Sequence, residues 1–267
     1  MKNALKGKFT RLSATFLFCL LAVNGRAATI SFYLNGATAP GGFLVYDKVT
    51  FITSANTIEV QIQNLTSNMR ADTQAISSID FLVSGISGLP ANTTLALDTT
   101  GPNLGSTITF ISTPSTYSAL TPVFGSNLTA ASAGWQLAAS TLTSGIKLST
   151  FPSSPNYLIG GPPPYTNLNG SMVSGSHNPF FETDGTTHIG FKLTFDSSAH
   201  IDQNTTISTT TMPRLNFGTT DAGGELTTVL EPEPGTVALM LGGLGLLCGA
   251  GIRRRKLTSS QDSALQA

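Results

Sequence analysis

The chain has 267 residues, of which 10% are charged; 14 Lys and Arg balance 14 Asp and Glu, and there are only two cysteines. Soluble domains carry about 25% charge, so this is neither an ordinary cytosolic enzyme nor a highly charged disordered chain. The length allows one large all-β domain or two small ones.

The zero net charge is a sum over unlike parts. Lys2, Lys6, Lys8, Arg11 and Arg26 crowd one end, and Arg253, Arg254, Arg255 and Lys256 form a run near the other. Between residues 28 and 231 only Lys48, Arg70, Lys147, Lys192 and Arg214 face 12 acids, a net charge of −7. Such a body repels phosphate backbones, so no nucleic acid partner is expected.

In chain order, the first element is a secretory signal peptide over residues 1–27. Basic residues to Arg11 precede an apolar run from Ala14 to Val23 and a small-residue site at Gly25-Arg26-Ala27-Ala28. Cleavage by signal peptidase between Ala27 and Ala28 puts small residues at both −1 and −3. Ten apolar residues are too few for a membrane span, which takes about 20.

The body, residues 28–230, reads as β throughout. Apolar and polar residues alternate over Ile30–Leu34, Ile58–Ile62, Ile76–Val83, Ile108–Phe110 and most clearly His188–Phe195, where Ile189, Phe191, Leu193 and Phe195 share one face. Arg214–Phe217 and Leu226–Leu230 are shorter candidates. Turn residues between these runs predict one antiparallel β-sandwich or jelly-roll-like domain. Residues 112–134 and 151–187 are rich in Ser, Thr, Pro, Gly and Asn and read as long loops. Both cysteines, Cys19 and Cys248, lie outside the body, which therefore has no disulfide and no thiolate chemistry.

Chemistry-bearing motifs are sparse. His177, Glu182, Asp184 and His188 cluster within 12 residues but match no metal-ligand spacing. Asp184, Asp196, Asp202, Asp221 and Glu225 could serve calcium, yet no EF-hand or repeated-Asp loop appears. No metal site, cofactor or enzymatic activity is assigned: Val173-Ser-Gly-Ser-His177 fails the Gly-x-Ser-x-Gly pattern, and no phosphate or dinucleotide loop is present. Trp135, Tyr117, Tyr157 and Tyr165 lie in or beside the loop-rich middle, and Trp135 is the candidate glycan contact.

The end of the chain is the most informative part. Pro232-Glu233-Pro234 leads into Gly235–Ile252, 18 residues without a charge. As a helix they reach about 27 Å, enough for a hydrocarbon core. A segment so rich in glycine is a poor helix in water, whereas lipid enforces internal backbone hydrogen bonding. Arg253, Arg254, Arg255 and Lys256 then act as a topology stop on the cytoplasmic side, leaving the acidic body outside. The prolines keep Glu233 extended, as a protease cleft requires.

Pro-Glu-Pro, a Gly/Leu-rich span and an Arg cluster in that order resemble the PEP-CTERM sorting signal of exported bacterial proteins. The resemblance implies processing by an exosortase, a membrane-embedded transpeptidase-like cysteine protease of Gram-negative bacteria that produce exopolysaccharide. In that reading Pro232, Glu233 and Pro234 are recognition residues of a substrate. The segments 57–66 and 74–81 are also similar, more loosely, to the N-terminal strands of other proteins with this signal. Two departures are the polar tail 257–267 beyond the Arg run and Gly235-Thr236 in place of the commoner Ser-Thr.

The expected organisation is signal peptide 1–27, all-β ectodomain 28–230, sorting and anchor segment 231–256 with a transmembrane helix at 235–252, and a cytoplasmic tail 257–267. The expected role is that of an exported, membrane-anchored precursor that becomes a structural or adhesive protein of the cell surface or the extracellular matrix of a biofilm, associated with exopolysaccharide. The alternative is a polysaccharide-binding module or a polysaccharide-acting hydrolase.

Overall fold

Alternating sequence becomes paired strands in the computed structural model, which describes residues 27–98, 108–113, 116–120, 129–151, 157–163, 165, 180–219 and 225–230. Residues 1–26 of the expected signal peptide, the segment 231–256 and His177 lie outside the described residues. A compact unit runs to Leu230 and a second unit covers Glu231–Ala267.

The unit to Leu230 is all-β, built as two sheets. The first has six strands: β1 (Ala28–Thr38), β2 (Leu44–Ser54), β3 (Thr57–Asn64), β5 (Thr94–Asp98), β12 (Ile189–Thr194) and β15 (Val229–Leu230), in the spatial order β15-β1-β2-β3-β12-β5, all antiparallel. The second is centred on β4 (Ile76–Phe81). Its path also takes in β6 (Ile108–Thr113), β7 (Thr116–Leu120), β10 (Leu158–Gly160), β11 (Phe180–Glu182), β13 (Arg214–Phe217) and β14 (Leu226–Thr227), in the order β14-β13-β4-β10-β11-β6-β7. β8 (Gln136–Ala138) and β9 (Ile146–Ser149) branch off β4. β10 and β11 run parallel, so the sandwich is mixed at one point rather than antiparallel throughout. The segments 57–66 and 74–81 supply β3 and β4, which belong to different sheets.

β3 alternates without a fault: Ile58, Val60, Ile62 and Asn64 are buried while Thr57, Glu59, Gln61 and Gln63 are half-exposed. A period of two against a covered face produces this pattern. β4 is buried at all six positions, because the interior lies on one face and flanking segments cover the other. Aromatic rings join the two sheets across the interior. Phe51 of β2 meets Phe81 of β4 with centroids 4.8 Å apart, and Trp135 meets Phe191 of β12 at 4.7 Å.

One glycine fixes a close backbone approach. A Cβ on Gly161 would lie 2.1 Å from the Thr66 carbonyl oxygen and 3.0 Å from Asn64 Oδ1. Backbone cannot yield as a side-chain tip can, so Gly161→Ala is expected to cost about 1–3 kcal/mol through overpacking. Urea unfolding of the body measures this; a midpoint equal to wild type would show that the 64–66 turn moves freely.

Candidate functional site

Both residues of the expected signal cut, Ala27 and Ala28, are among the described residues. Ala27 is exposed and Ala28 opens β1, opposite Thr53. At the other end Thr228 is 1% exposed, and both its N–H and its Oγ1 donate to the Pro213 carbonyl, at 2.9 and 2.8 Å. β15 follows, paired only through Phe32–Leu230 and Tyr33–Val229, and Pro232 comes two residues later. Among the described residues no helix is long and apolar enough to cross a membrane. The span 235–252, Pro232, Glu233, Pro234 and the run Arg253–Lys256 lie outside those residues.

Trp135, expected as a glycan contact, is a core residue. It is 1% exposed, stacks on Phe191, and its indole N–H donates to the Tyr157 carbonyl at 2.7 Å. This interior position covers its apolar rings and still gives its indole N–H an acceptor. Tyr165 is buried and its hydroxyl donates to the Gly161 carbonyl at 2.7 Å, while Tyr157 packs on Phe181. Of Tyr117 only the backbone, in β7, is described. Among the tyrosines whose side chains are described, the exposed one is Tyr46, which no sequence pattern singles out.

The acidic residues cap turns instead of converging. Asp184 Oδ1 accepts from the N–H and hydroxyl groups of both Thr186 and Thr187; these bonds, led by those from Thr186, lower its pKa to about 2. Asp196 accepts from the Ser198 N–H, and Asp202 accepts from the N–H groups of Asn204 and Thr205. Hydrogen bonding to the charged form holds both carboxyls below their ordinary value. Glu225 pairs with Arg214 at 3.3 Å, and its Oε1 lies 2.9 Å from the Thr141 hydroxyl oxygen; Asp221 lies outside the described residues. Among the described residues no group of three or more His, Cys, Asp or Glu is placed to hold a metal ion. Because Asp184, Asp196 and Asp202 spend their carboxylates on turn hydrogen bonds, a chelator is expected to leave the melting temperature of the body unchanged, and a fall on adding EDTA would show that one of these turns is held by a metal.

The polar groups that do gather lie on the outer face of the six-stranded sheet. Glu59, Asp98 and Lys192 line a shallow groove of about 310 Å³ with Ser54, Thr57 and Ala96. Gly190 leaves a notch there: a Cβ on it would lie 3.1 Å from Asp98 Cβ and 3.7 Å from Glu59 Oε1. Gln61 donates to Glu59 Oε1 at 2.6 Å. Burial lowers the His188 pKa, opposed by Glu59 and Asp98 and assisted by Lys48. Register explains the gathering, since Glu59, Lys192 and Ala96 fall in one row across β3, β12 and β5, and Gln61, Gly190 and Asp98 in the next.

Two buried groups carry no signal in the sequence alone. Asp80 ties the 140–142 turn to β4, accepting from the Ser140 hydroxyl (2.6 Å) and from the N–H and hydroxyl of Thr141 (2.7 and 2.8 Å). Asp47 is fully buried in β2, and neither carboxylate oxygen has a hydrogen-bond partner. Burial raises its pKa well above the ordinary value. An acid at an inward strand position is the feature that marks it, but only once β2 has been recognised as a strand.

Residues 232–256 match the protein family described as the PEP-CTERM protein-sorting motif. No curated protein and no solved structure shows significant similarity to the chain.

Proposed function

From the PEP-CTERM protein-sorting motif that the chain carries at residues 232–256, we propose a complete export route. The motif implies an exported protein sorted by an exosortase. In this route signal peptidase cuts between Ala27 and Ala28, and the span 235–252 holds the precursor in the inner membrane. Arg253, Arg254, Arg255 and Lys256 stay inside by the positive-inside rule. The sorting protease grips Pro232-Glu233-Pro234, and the β-sandwich passes to the cell surface or extracellular matrix of a Gram-negative cell. There it serves as a structural or adhesive component within exopolysaccharide.

The observation that carries this reading is the motif match, with its three parts in order. Two features of the body support it. Its first strand opens at Ala28, at the expected signal cut, and its last described strand, Val229–Leu230, lies on the body side of the motif in sequence. A non-catalytic role fits the chemistry of the body, where Asp184, Asp196 and Asp202 are engaged in shaping turns.

The test is fractionation of cells that contain the sorting enzyme. The wild-type body is expected in the surface or medium fraction, and the variant carrying Pro232→Ala, Glu233→Ala and Pro234→Ala in the membrane at full length. Equal release of both would sink the assignment of these three residues.

A further inference from the structure

We propose that the outer face built by β15, β1 and β2 is a bilayer-docking patch, which lies against the membrane surface while the precursor is still tethered. Among the described residues five large apolar side chains are exposed, and three of them, Leu44 (50%), Tyr46 (40%) and Val229 (53%), stand on this one face. Register puts them together. Val229 is opposite Tyr33, Tyr33 is opposite Lys48, and Tyr46 and Leu44 follow on alternate residues of β2. Both the buried-exposed alternation of β2 and the seat of Lys48 Nζ 5.5 Å over the Tyr33 ring place these side chains on the solvent side of the sheet.

The chemistry is that of a membrane interface rather than of a protein core. Tyrosines have an apolar body and a polar tip, and lysine lays its aliphatic stem on apolar surface with the ammonium in the headgroup layer. An anionic headgroup attracts that ammonium by about 1 kcal/mol. Charge also orients the face. Glu59 and Asp98 stand at its other end, on β3 and β5, where an anionic surface would repel them. The body as a whole, at −7, has little other means of approaching such a surface.

Chain length selects the bilayer as the occupant. Val229 is itself part of the patch, and the uncharged run begins six residues later at Gly235. Fully extended, six residues reach about 20 Å, so Val229, at one edge of the patch, cannot stray farther than that from the start of the span. A tether this short makes docking intramolecular, and a weak patch then suffices. This inference rests on the reading of 235–252 as a membrane span.

The membrane-held form from Ala28 to Ala267 has one native cysteine, Cys248, which Cys248→Ser removes. A single new cysteine is then placed by Leu44→Cys or, at the far end of the same face, by Thr194→Cys, which is also exposed. Each is labelled with a polarity-sensitive dye and reconstituted into vesicles of phosphatidylethanolamine and phosphatidylglycerol containing nitroxide lipid. The expected result is quenching several-fold stronger at residue 44 than at 194, abolished by adding Tyr46→Ser and Lys48→Glu. Equal quenching at the two sites in an anchored protein would overturn docking alone, whereas release from the vesicles by carbonate would overturn the anchoring reading and docking with it. Shielding of the residue-44 dye by dextran without vesicles would assign the patch to sugar and likewise overturn the proposal.

Discussion

Replacing Asp47 by leucine is expected to stabilise the body by about 1–3 kcal/mol, the cost typical of a buried polar group left without partners. Asp47 faces the core of the sandwich between Leu34 and Asn64 in register. Asn64 cannot help it. That side chain's N–H groups donate to the Gln74 and Ile159 carbonyls, and its oxygen accepts from the Thr66 N–H. Desolvation by burial raises the Asp47 pKa well above 3.8 in the folded body, so folding retains a proton that the unfolded chain gives up. The wild type is accordingly most stable below about pH 3.8 with respect to this group. It loses stability as pH rises from there to the folded pKa, at up to about 1.4 kcal/mol per pH unit. Urea unfolding at several pH values between 4 and 8 checks both points. The Asp47→Leu variant should have a higher midpoint at pH 7 and a flatter profile, and a lower midpoint at pH 7 would show that the carboxyl has a partner.

Trp135→Ala is expected to cost about 3–5 kcal/mol, the range for emptying a buried aromatic site. The change removes the stack on Phe191, which joins the sheets, and leaves the Tyr157 carbonyl without its indole donor. Because the chain has one tryptophan, its fluorescence reports this site directly. Emission should be blue-shifted and protected from acrylamide in the folded body, and should shift to the red as urea unfolds it. Emission exposed to quencher in the native state, with polysaccharide binding lost in Trp135→Ala at unchanged stability, would return the residue to a surface role.

Strands with clean alternation are legible from sequence because one face of each is covered. Ile58–Ile62 and Ile189–Phe195 lie inside or across β3 and β12, neighbouring interior strands of the first sheet. β2 gives no such signal for a physical reason: Asp47 occupies an inward position among Val45, Val49 and Phe51 and breaks the period of two. β8, β10 and β11 are three-residue strands set in Ser-, Pro- and Gly-rich sequence, and the parallel pairing of β10 with β11 joins residues some 20 apart. Local pattern carries no signal for such a contact. The aromatic residues mislead for a related reason, since composition places Trp135 among loops while burial depends on what folds over it. Tyr33 and Tyr46 reach a common outer face only through strand register, and Leu44 joins them across the bulge between Asn35 and Ala37.

The sorting motif at residues 232–256 is legible because its parts are contiguous: Pro-Glu-Pro, an uncharged Gly/Leu-rich run and an Arg cluster follow one another in that order. What the body binds is not written in a contiguous stretch, and the face that gathers Leu44, Tyr46 and Val229 draws on residues 185 positions apart.

Intact-mass measurement of the body recovered from cells that contain the sorting enzyme tests the export route most directly. The expected species begins at Ala28, ends ahead of the Arg253–Lys256 run, and is absent when Pro232, Glu233 and Pro234 are replaced. A single membrane-held species running from Met1 to Ala267 would contradict it.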